Sequence, residues 1–473
     1  MKLKHIFYIL FIILFSLSAK SQIPLSIATE LTNNLNSKQV NPALIAYNNK
    51  EWSIDLLNIN AMLDQDYGLI RRNNIIDRLQ KRKGLPLAEL DELLKRNNNK
   101  AIDFMGNIQV QLFGIYANYK KKHHFFISNG IKSSINLKGY QPEFLSSILS
   151  SSQQNGSITA QNMSFNQNIW NETGLSYATT IWDNEKSSFG IGTTLKYLNG
   201  LGIIGINIKK LEGTFMDKDS FQNNVNIQHL DLKVASDWDF DDGDMSNILK
   251  LAQKTFKPGA FGSGIDIGFV YELKQEGSMT YSSLLGQNYK LRVAASFNDL
   301  GFINYRKATV FSTWGSGSLN SDTINKIYEN IEDIQSYLEH QGISNQYQQN
   351  GNQIVYTPAS FNLITDYNID NRFYISAFLR FGLLNNKKGF NARVQNVIGL
   401  SPRFQVKNWS VALPIYYSSF SNNFKAGWNV RFHYFHVGAD DALAMVFNNQ
   451  AKGLSVYAGC SIPLTFAMKY FEK

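Results

Sequence analysis

Disulfide cross-links, proline-rich linkers and membrane-spanning helices are excluded by what this 473-residue chain has little of. It carries one cysteine, Cys460. An exported protein stapled by disulfides would carry an even number, so stability has to come from hydrogen-bonded sheet. Cys460 is also too far from the N-terminus to carry a lipid anchor and reads as a buried or lipid-facing bystander. Proline is scarce, at 9 residues. No Pro- or Ser-rich linker and no repeat of roughly 20–50 residues divides the chain, so fewer domains are expected than its length suggests. Beyond residue 21 no window approaches the roughly 18 uncharged apolar residues of a spanning helix. Basic tracts are missing too. The formal charge is +9, and Lys2, Lys4 and Lys20 lie in the segment read below as removable, which leaves about +6, widely dispersed. Nucleic-acid binding needs a concentrated patch and is excluded.

What is present begins with residues 1–21. Lys2 and Lys4 give a positive start, Ile6 to Leu17 a short apolar run, and Ala19 and Ser21 the small residues of a cleavage site. This is the pattern of a secretory signal peptide, with the mature chain expected from Gln22. Aromatic residues are abundant, at 13%, and amphipathic strands follow almost to the end. In Ser263 to Lys274, Ile265, Ile267, Phe269, Tyr271 and Leu273 share one face, and Gly264, Asp266, Gly268 and Glu272 the other, the period of 2 of a strand. Tyr289 to Phe297, Phe373 to Phe381, Trp428 to Tyr434 and Leu454 to Leu464 repeat the pattern.

A soluble sandwich would turn the apolar face inward, and a membrane barrel would turn it out to lipid. Strand length favours the barrel, since many runs exceed the usual five or six residues. Aromatics near strand ends, including Tyr197, Tyr271, Trp409, Tyr416 and Tyr417, suit interfacial girdles. Tight connections (Tyr119–Lys122, Asp183–Lys186, Asp370–Asn371, Asn385–Lys388, Lys407–Asn408) alternate with long ones (64–104, 138–170, 235–260, 314–355), an asymmetry of outer-membrane barrels. The expected fold is an all-β transmembrane antiparallel barrel of about 14 strands, with 16 left open. Parity turns on Asn298-Asp299-Leu300-Gly301, read as a kink within one long strand with Gly301 absorbing the bend.

By the same alternation Lys196, Asp266, Glu272, Lys290, Arg292, Arg380, Arg431 and His433 point into the lumen. They either pair with one another or line a wet, weakly anion-favouring passage. Two long connections carry helical spacing, 85–96 and 322–342. Leu87, Leu90, Leu94, Ile331 and Leu338 either pack on the rim or border an external groove for a hydrophobic ligand. No catalytic motif is present. His123 and His124 follow three lysines at a tight turn and read as a solvated or head-group-facing end. His433 and His436 fall on opposite strand faces, so no metal site is expected. The acidic run Asp237 to Asp244 lacks EF-hand spacing and reads as a solvated loop tip, with divalent binding open. Asp440-Asp441 reads as a turn. No cofactor is implied.

Between the cleavage site and the first strand lies Asn41-Pro42-Ala43, in a segment (22–50) long enough to fold back as a plug, ahead of a barrel over 51–473. With this motif, Ser296-Phe297-Asn298-Asp299-Leu300-Gly301-Phe302-Ile303 and the late Val437-Gly438-Ala439-Asp440-Asp441, the chain resembles a Bacteroidetes-type outer-membrane barrel family of unknown function. In layout it is similar to the FadL-like long-chain fatty-acid transporter class. That resemblance implies an N-terminal hatch bearing Asn41, Pro42 and Ala43, helical extracellular loops, and passage of hydrophobic small molecules. The fatty-acid-site residues of that class have no counterparts that can be placed here. Members of the broader class also serve as non-transporting partners, so the resemblance implies, as the alternative reading, a barrel that docks secretion or gliding machinery. The expected surroundings are outer-membrane lipid and lipopolysaccharide. A soluble exported β-protein is the remaining reading.

Overall fold

The computed structural model describes residues 37, 39–48, 50–66, 70–71, 101–141, 157–216, 224–238, 260–275, 289–320, 345–384, 390–406, 408–443 and 450–464. Leu87, Leu90, Leu94, Ile331 and Leu338 lie outside the described residues, as do 239–244 of the acidic run.

The strands form a closed antiparallel barrel of 14. They are β1 (Trp52–Asp55 and Asn58–Gln65), β2 (Ile102–Tyr119), β3 (His123–Tyr140), β4 (Ser157–Asp183), β5 (Ser187–Met216), β6 (Asn224–Trp238 and Ala260–Lys274) and β7 (Tyr289–Tyr305 and Thr309–Asn320). They continue as β8 (Asn345–Asn350, Gln353–Tyr356 and Ser360–Asn368), β9 (Phe373–Gly382), β10 (Val397–Gln405), β11 (Trp409–Ala412 and Ile415–Ser418), β12 (Asn423–Ala426 and Trp428–Phe432), β13 (Phe435–Ala439) and β14 (Gly453–Pro463). β14 closes on β1, with Ser53 opposite Pro463 and Ile59 opposite Ala458. Closure removes the open edge that hydrocarbon could not satisfy.

One expected boundary dissolves. The expected loop 235–260 interrupts β6 without ending it, while Ser187–Met216 runs as one strand. Trp238 pairs with Gly202 and Ala260 with Gly200, so both halves follow the same neighbour. β7 is likewise unbroken at Asn298–Gly301. Asp299 takes a left-handed φ of 54°, and the register with β6 slips between Phe297 and Leu300. The bend therefore falls on Asp299, a residue type that tolerates this region, and Gly301 serves a close approach instead. A Cβ there would lie 2.5 Å from the Ser263 carbonyl oxygen. With β7 continuous, both long excursions, from Gln65 to Ile102 and from Asn320 to Asn345, leave the same end of the barrel. The β9–β10 connection also leaves from that end, and Asn385–Lys388, expected among the short turns, lies outside the described residues.

Alternation fixes the two surfaces. On β9, Phe373, Ile375, Ala377 and Phe381 are exposed, while Tyr374, Ser376, Phe378 and Arg380 are buried. On β6, Phe269, Tyr271 and Leu273 are exposed, and Asp266, Gly268, Val270 and Glu272 are buried. The apolar face points outward around the barrel, with Leu195 at 57% exposure, Ile398 at 58% and Phe435 at 61%. An apolar belt of this extent is stable only in hydrocarbon. Tyr119, Trp182 and Trp409 edge the belt at the short-turn end, and Tyr197 and Phe261 (ring centroids 5.9 Å apart) mark the other side. Tyr416 departs from the expected girdle. It points inward, 3% exposed, against Phe378, because its neighbours Ile415 and Tyr417 hold the outward positions. The chain is an outer-membrane β-barrel, with its short turns on the periplasmic side.

Leu400 (β10, 52% exposed) lies on the lipid face. Leu400→Arg is expected to destabilise the barrel by roughly 2–4 kcal/mol in urea titrations in lipid vesicles. Lys209→Ala, at a solvated ion pair with Asp231, should cost under about 1 kcal/mol.

Candidate functional site

The barrel interior is crossed by the segment that contains Asn41-Pro42-Ala43. Asn41 caps a short 3-10 helix (Pro42–Tyr47), accepting from the Ala43 N–H at 2.9 Å. Pro42 opens that helix at the position where its missing donor costs nothing. The Asn41 amide donates to the carbonyls of Phe269 (3.0 Å) and Ala295 (2.9 Å), on β6 and β7. Ser296 donates to the Val40 carbonyl at 2.6 Å and Asn298 to that of Gln39 at 2.7 Å. Across the lumen, the Gln39 side chain bonds Gln109 and Gln111 of β2, and Tyr116 donates to the Asn48 carbonyl.

Glycines make the seat. Gly192 and Gly268 face each other on β5 and β6. A Cβ on Gly268 would sit 2.0 Å from Asn41 Oδ1, and one on Gly192 2.5 Å from the Ala43 nitrogen. Val40, Ala43 and Leu44 then pack on Val270, Ala294, Ile364, Phe378, Val397 and Tyr416. Burial raises the Tyr47 phenol to about 12, so it is a neutral donor at physiological pH.

Among the described residues, inward charges meet in three larger groups and in the Arg292–Glu272 pair. Lys196 Nζ lies 2.8 Å from Asp266, 2.6 Å from Asp299 and 3.4 Å from Glu172, and Lys132 lies 2.8 Å from Glu172 and 3.3 Å from Asp299. The Asp299 kink aims its carboxylate at both lysines while its N–H donates to Asp266 at 2.6 Å. A second group joins Asp366 to Arg403 at 2.8 Å, to Tyr289 and to Ser376, with the Asp366 and Arg403 side chains fully buried. In a third, Lys425 lies 2.8 Å from Asp64 and 2.9 Å from Asp441, and Gln395 binds the same Asp64.

Of the residues expected inside, Lys196, Asp266, Glu272, Arg292, Arg380 and Arg431 are buried. Arg292 bonds Glu272 at 2.6 Å and Arg380 donates to Asn362 at 2.8 Å. Lys290 and His433 correct the expectation. A bulge between Tyr289 and Leu291 inverts the alternation there, so Tyr289 turns in and Lys290 turns out over the Tyr367 ring, 4.7 Å from its centroid. His433 sits after the end of β12 with φ 52°, in the turn to β13, where strand parity no longer applies. His436 is the buried one, tilted against Tyr457. His124 also departs from a solvated end: it is buried, 2.7 Å from the Tyr116 hydroxyl. Asp441 is a buried ion-pair partner as well as a bend residue. Lys132, Glu172, Asp366, Arg403 and Lys425 do not stand out in the sequence, and Asp299 stands out there only as part of a kink. Strand parity carried through each run would have exposed most of them.

Above the internal segment, Trp170, Leu198, Ile203, Ile303, Tyr305 and Phe390 form an apolar cluster. Phe390 belongs to the β9–β10 connection, which folds inward, its carbonyl accepting from Asn168 at 3.2 Å. Beside this connection, at the long-loop mouth, lies a cavity of about 400 Å³. Met105, Ala359, Leu384, Ala392 and Phe420 form its apolar part, with Lys138, Arg393 and Asp103 at its border. Among the described residues no group of three or more His, Cys, Asp or Glu side chains could hold a metal ion.

Gly268→Leu is expected to unseat the internal segment, because the new side chain and Asn41 cannot share one space. The readouts are a rise in single-channel conductance in planar bilayers and new protease cleavage within residues 39–48. Asp366→Ala should destabilise by about 3–5 kcal/mol by stranding a buried guanidinium, and a second change, Arg403→Met, should recover most of that loss.

No curated protein matches the sequence. Among solved structures, the chain is similar to the Pseudomonas putida toluene transporter TodX (8% identity, 91% of this chain and 93% of that chain, TM-score 0.40). It is also similar to the Ralstonia pickettii toluene transporter TbuX (10%, 94% and 98%, 0.40) and to a Pseudomonas aeruginosa FadL homologue (10%, 91% and 94%, 0.27). At these scores the likeness carries no inference about substrate. A family model matches residues 42–440, from the capped proline inside the barrel to the end of the β13 wall, and the chain belongs to that family of unknown function, DUF5723.

Proposed function

We propose that this barrel admits a hydrophobic small molecule from the cell surface, with the segment around Asn41-Pro42-Ala43 acting as its plug. The observation that supports this reading is the mouth cavity of about 400 Å³, apolar on Met105, Ala359, Leu384, Ala392 and Phe420 and open to the long-loop side. Its size suits a small ligand site, and its lining mixes that apolar part with polar groups (Asp103, Lys138, Arg393, Asn396 and Ser419) that could orient a ligand. Lys138 would favour a ligand with one anionic end, while Arg393 already lies 3.9 Å from Asp103. Below the cavity lie the apolar cluster and the seated segment, so passage requires the segment to shift.

An interior occupied by that segment supports a second reading, a barrel that docks secretion or gliding components without transporting anything. One experiment separates the two. The purified full-length barrel, in lipid nanodiscs, is irradiated with a diazirine analogue of toluene and with a diazirine fatty alcohol, and the adducts are mapped by peptide mass spectrometry. The transport reading expects competable adducts on 392–394 and Phe420, reduced roughly tenfold by the cavity-filling Ala392→Trp, about the loss expected when a small apolar site is filled. Adducts confined to lipid-facing residues such as Leu195 and Ile398, unchanged in Ala392→Trp, would reject uptake and leave docking.

A further inference from the structure

The turn between β2 and β3 runs against local preference. Tyr119, Lys120, Lys121 and Lys122 form a hairpin turn closed by the Lys122 N–H on the Tyr119 carbonyl at 3.3 Å. Lys120 and Lys121 both take φ of 54°. Two consecutive left-handed residues are the signature of a type I′ turn, for which Asn-Gly is the favoured pair. A side chain with a Cβ is disfavoured at each of those positions. The chain nevertheless places lysine at both and again at the next residue, and all three are exposed.

The surroundings indicate what the lysines face. The turn is at the short-turn end, at the edge of the apolar belt. Tyr119 and Phe125, on either side of it, are 58% and 44% exposed on the lipid face. Lys120 Nζ stands 5.2 Å from the centroid of the Tyr119 ring. The same pairing recurs on this rim, with Lys290 over Tyr367 at 4.7 Å and Lys50 near Tyr434 at 6.0 Å. An ammonium above an interfacial tyrosine is held at head-group depth, its stem on the ring and its charge toward water. Among the described residues, no carboxylate forms an ion pair with Lys120, Lys121 or Lys122. Asp183, the acid at the start of the next turn, is held by Lys274 at 2.5 Å.

We propose that the Lys120-Lys121-Lys122 turn is a binding site for the phosphates of anionic phospholipids in the periplasmic leaflet. Three ammonium groups at the tip of a strained turn, anchored on a tyrosine at the membrane boundary, match a surface of fixed depth and negative charge. A soluble acidic protein would not require the groups to be held at that depth. The site fixes the height of the β2–β3 hairpin in the membrane and retains anionic lipid around the barrel.

The left-handed geometry provides a test free of misfolding. Lys120→Asn with Lys121→Gly installs the favoured turn pair, so the barrel should unfold in urea at an equal or higher midpoint. In native mass spectrometry of the full-length protein released from vesicles of mixed phosphatidylglycerol and phosphatidylethanolamine, retained phosphatidylglycerol should fall about tenfold, with phosphatidylethanolamine unchanged. Lys120→Arg with Lys121→Arg should keep the lipid, and raised salt should strip it from the unaltered protein. Equal phosphatidylglycerol retention in the Asn-Gly variant would overturn the proposal. So would an equal loss of both lipids. Retention unchanged, alongside loss of a periplasmic protein crosslinked to this turn, would overturn it in favour of a protein partner.

Discussion

A charge that points into a filled barrel must find its counter-charge on another strand, and this constraint organises the molecule. Lys132, Glu172, Lys196, Asp266 and Asp299 come from β3, β4, β5, β6 and β7, so one cluster ties five adjacent strands in register. A slip of one residue on any of them would turn its charge toward lipid. The kink in β7 follows from the same demand. Asp299 leaves the extended conformation, and in doing so its carboxylate reaches both lysines while its carbonyl accepts from Thr357 on the β8 side at 2.6 Å.

The internal segment solves a different problem with neutral groups. It is held by amide and hydroxyl donors to backbone carbonyls and by glycines that let it approach the wall, with no ion pair among those contacts. Neutral hydrogen bonds contribute about 1 kcal/mol each, less than half of what is lost when a buried ion pair is broken. The wall, built on its backbone ladder, is thus also tied by buried charge, whereas the segment rests on neutral hydrogen bonds and the apolar packing of Val40, Ala43 and Leu44. That difference is the physical basis for the proposal that the segment, and not the wall, is the part that shifts.

Much of the wall was legible because strand parity is a local rule. Ser263 to Lys274 could be divided into lipid and lumen faces residue by residue, and the structure divides it the same way. The rule failed where the backbone departs from regular pleating. A bulge inverted Tyr289 and Lys290, a turn removed His433 from the wall, and Tyr416 read as a girdle residue because an inward tyrosine and an outward one look alike in sequence. The interior was less legible than the wall. Asn41-Pro42-Ala43 stood out only by its position and the resemblance, and nothing local says that its amide will reach β6 and β7, or that Gly192 and Gly268 are spaced for it.

By itself the sequence determined export, an all-β chain without disulfides, and the two faces of most strands, since each depends on composition or on neighbours within a few residues. Only the tertiary structure decided the strand number, the partner of each inward charge and the seat of Asn41. Asp64 and Lys425 are far apart along the chain, and nothing but closure of the barrel brings them to 2.8 Å. Pairings of that range depend on the summed register of every strand between them, which no local pattern encodes.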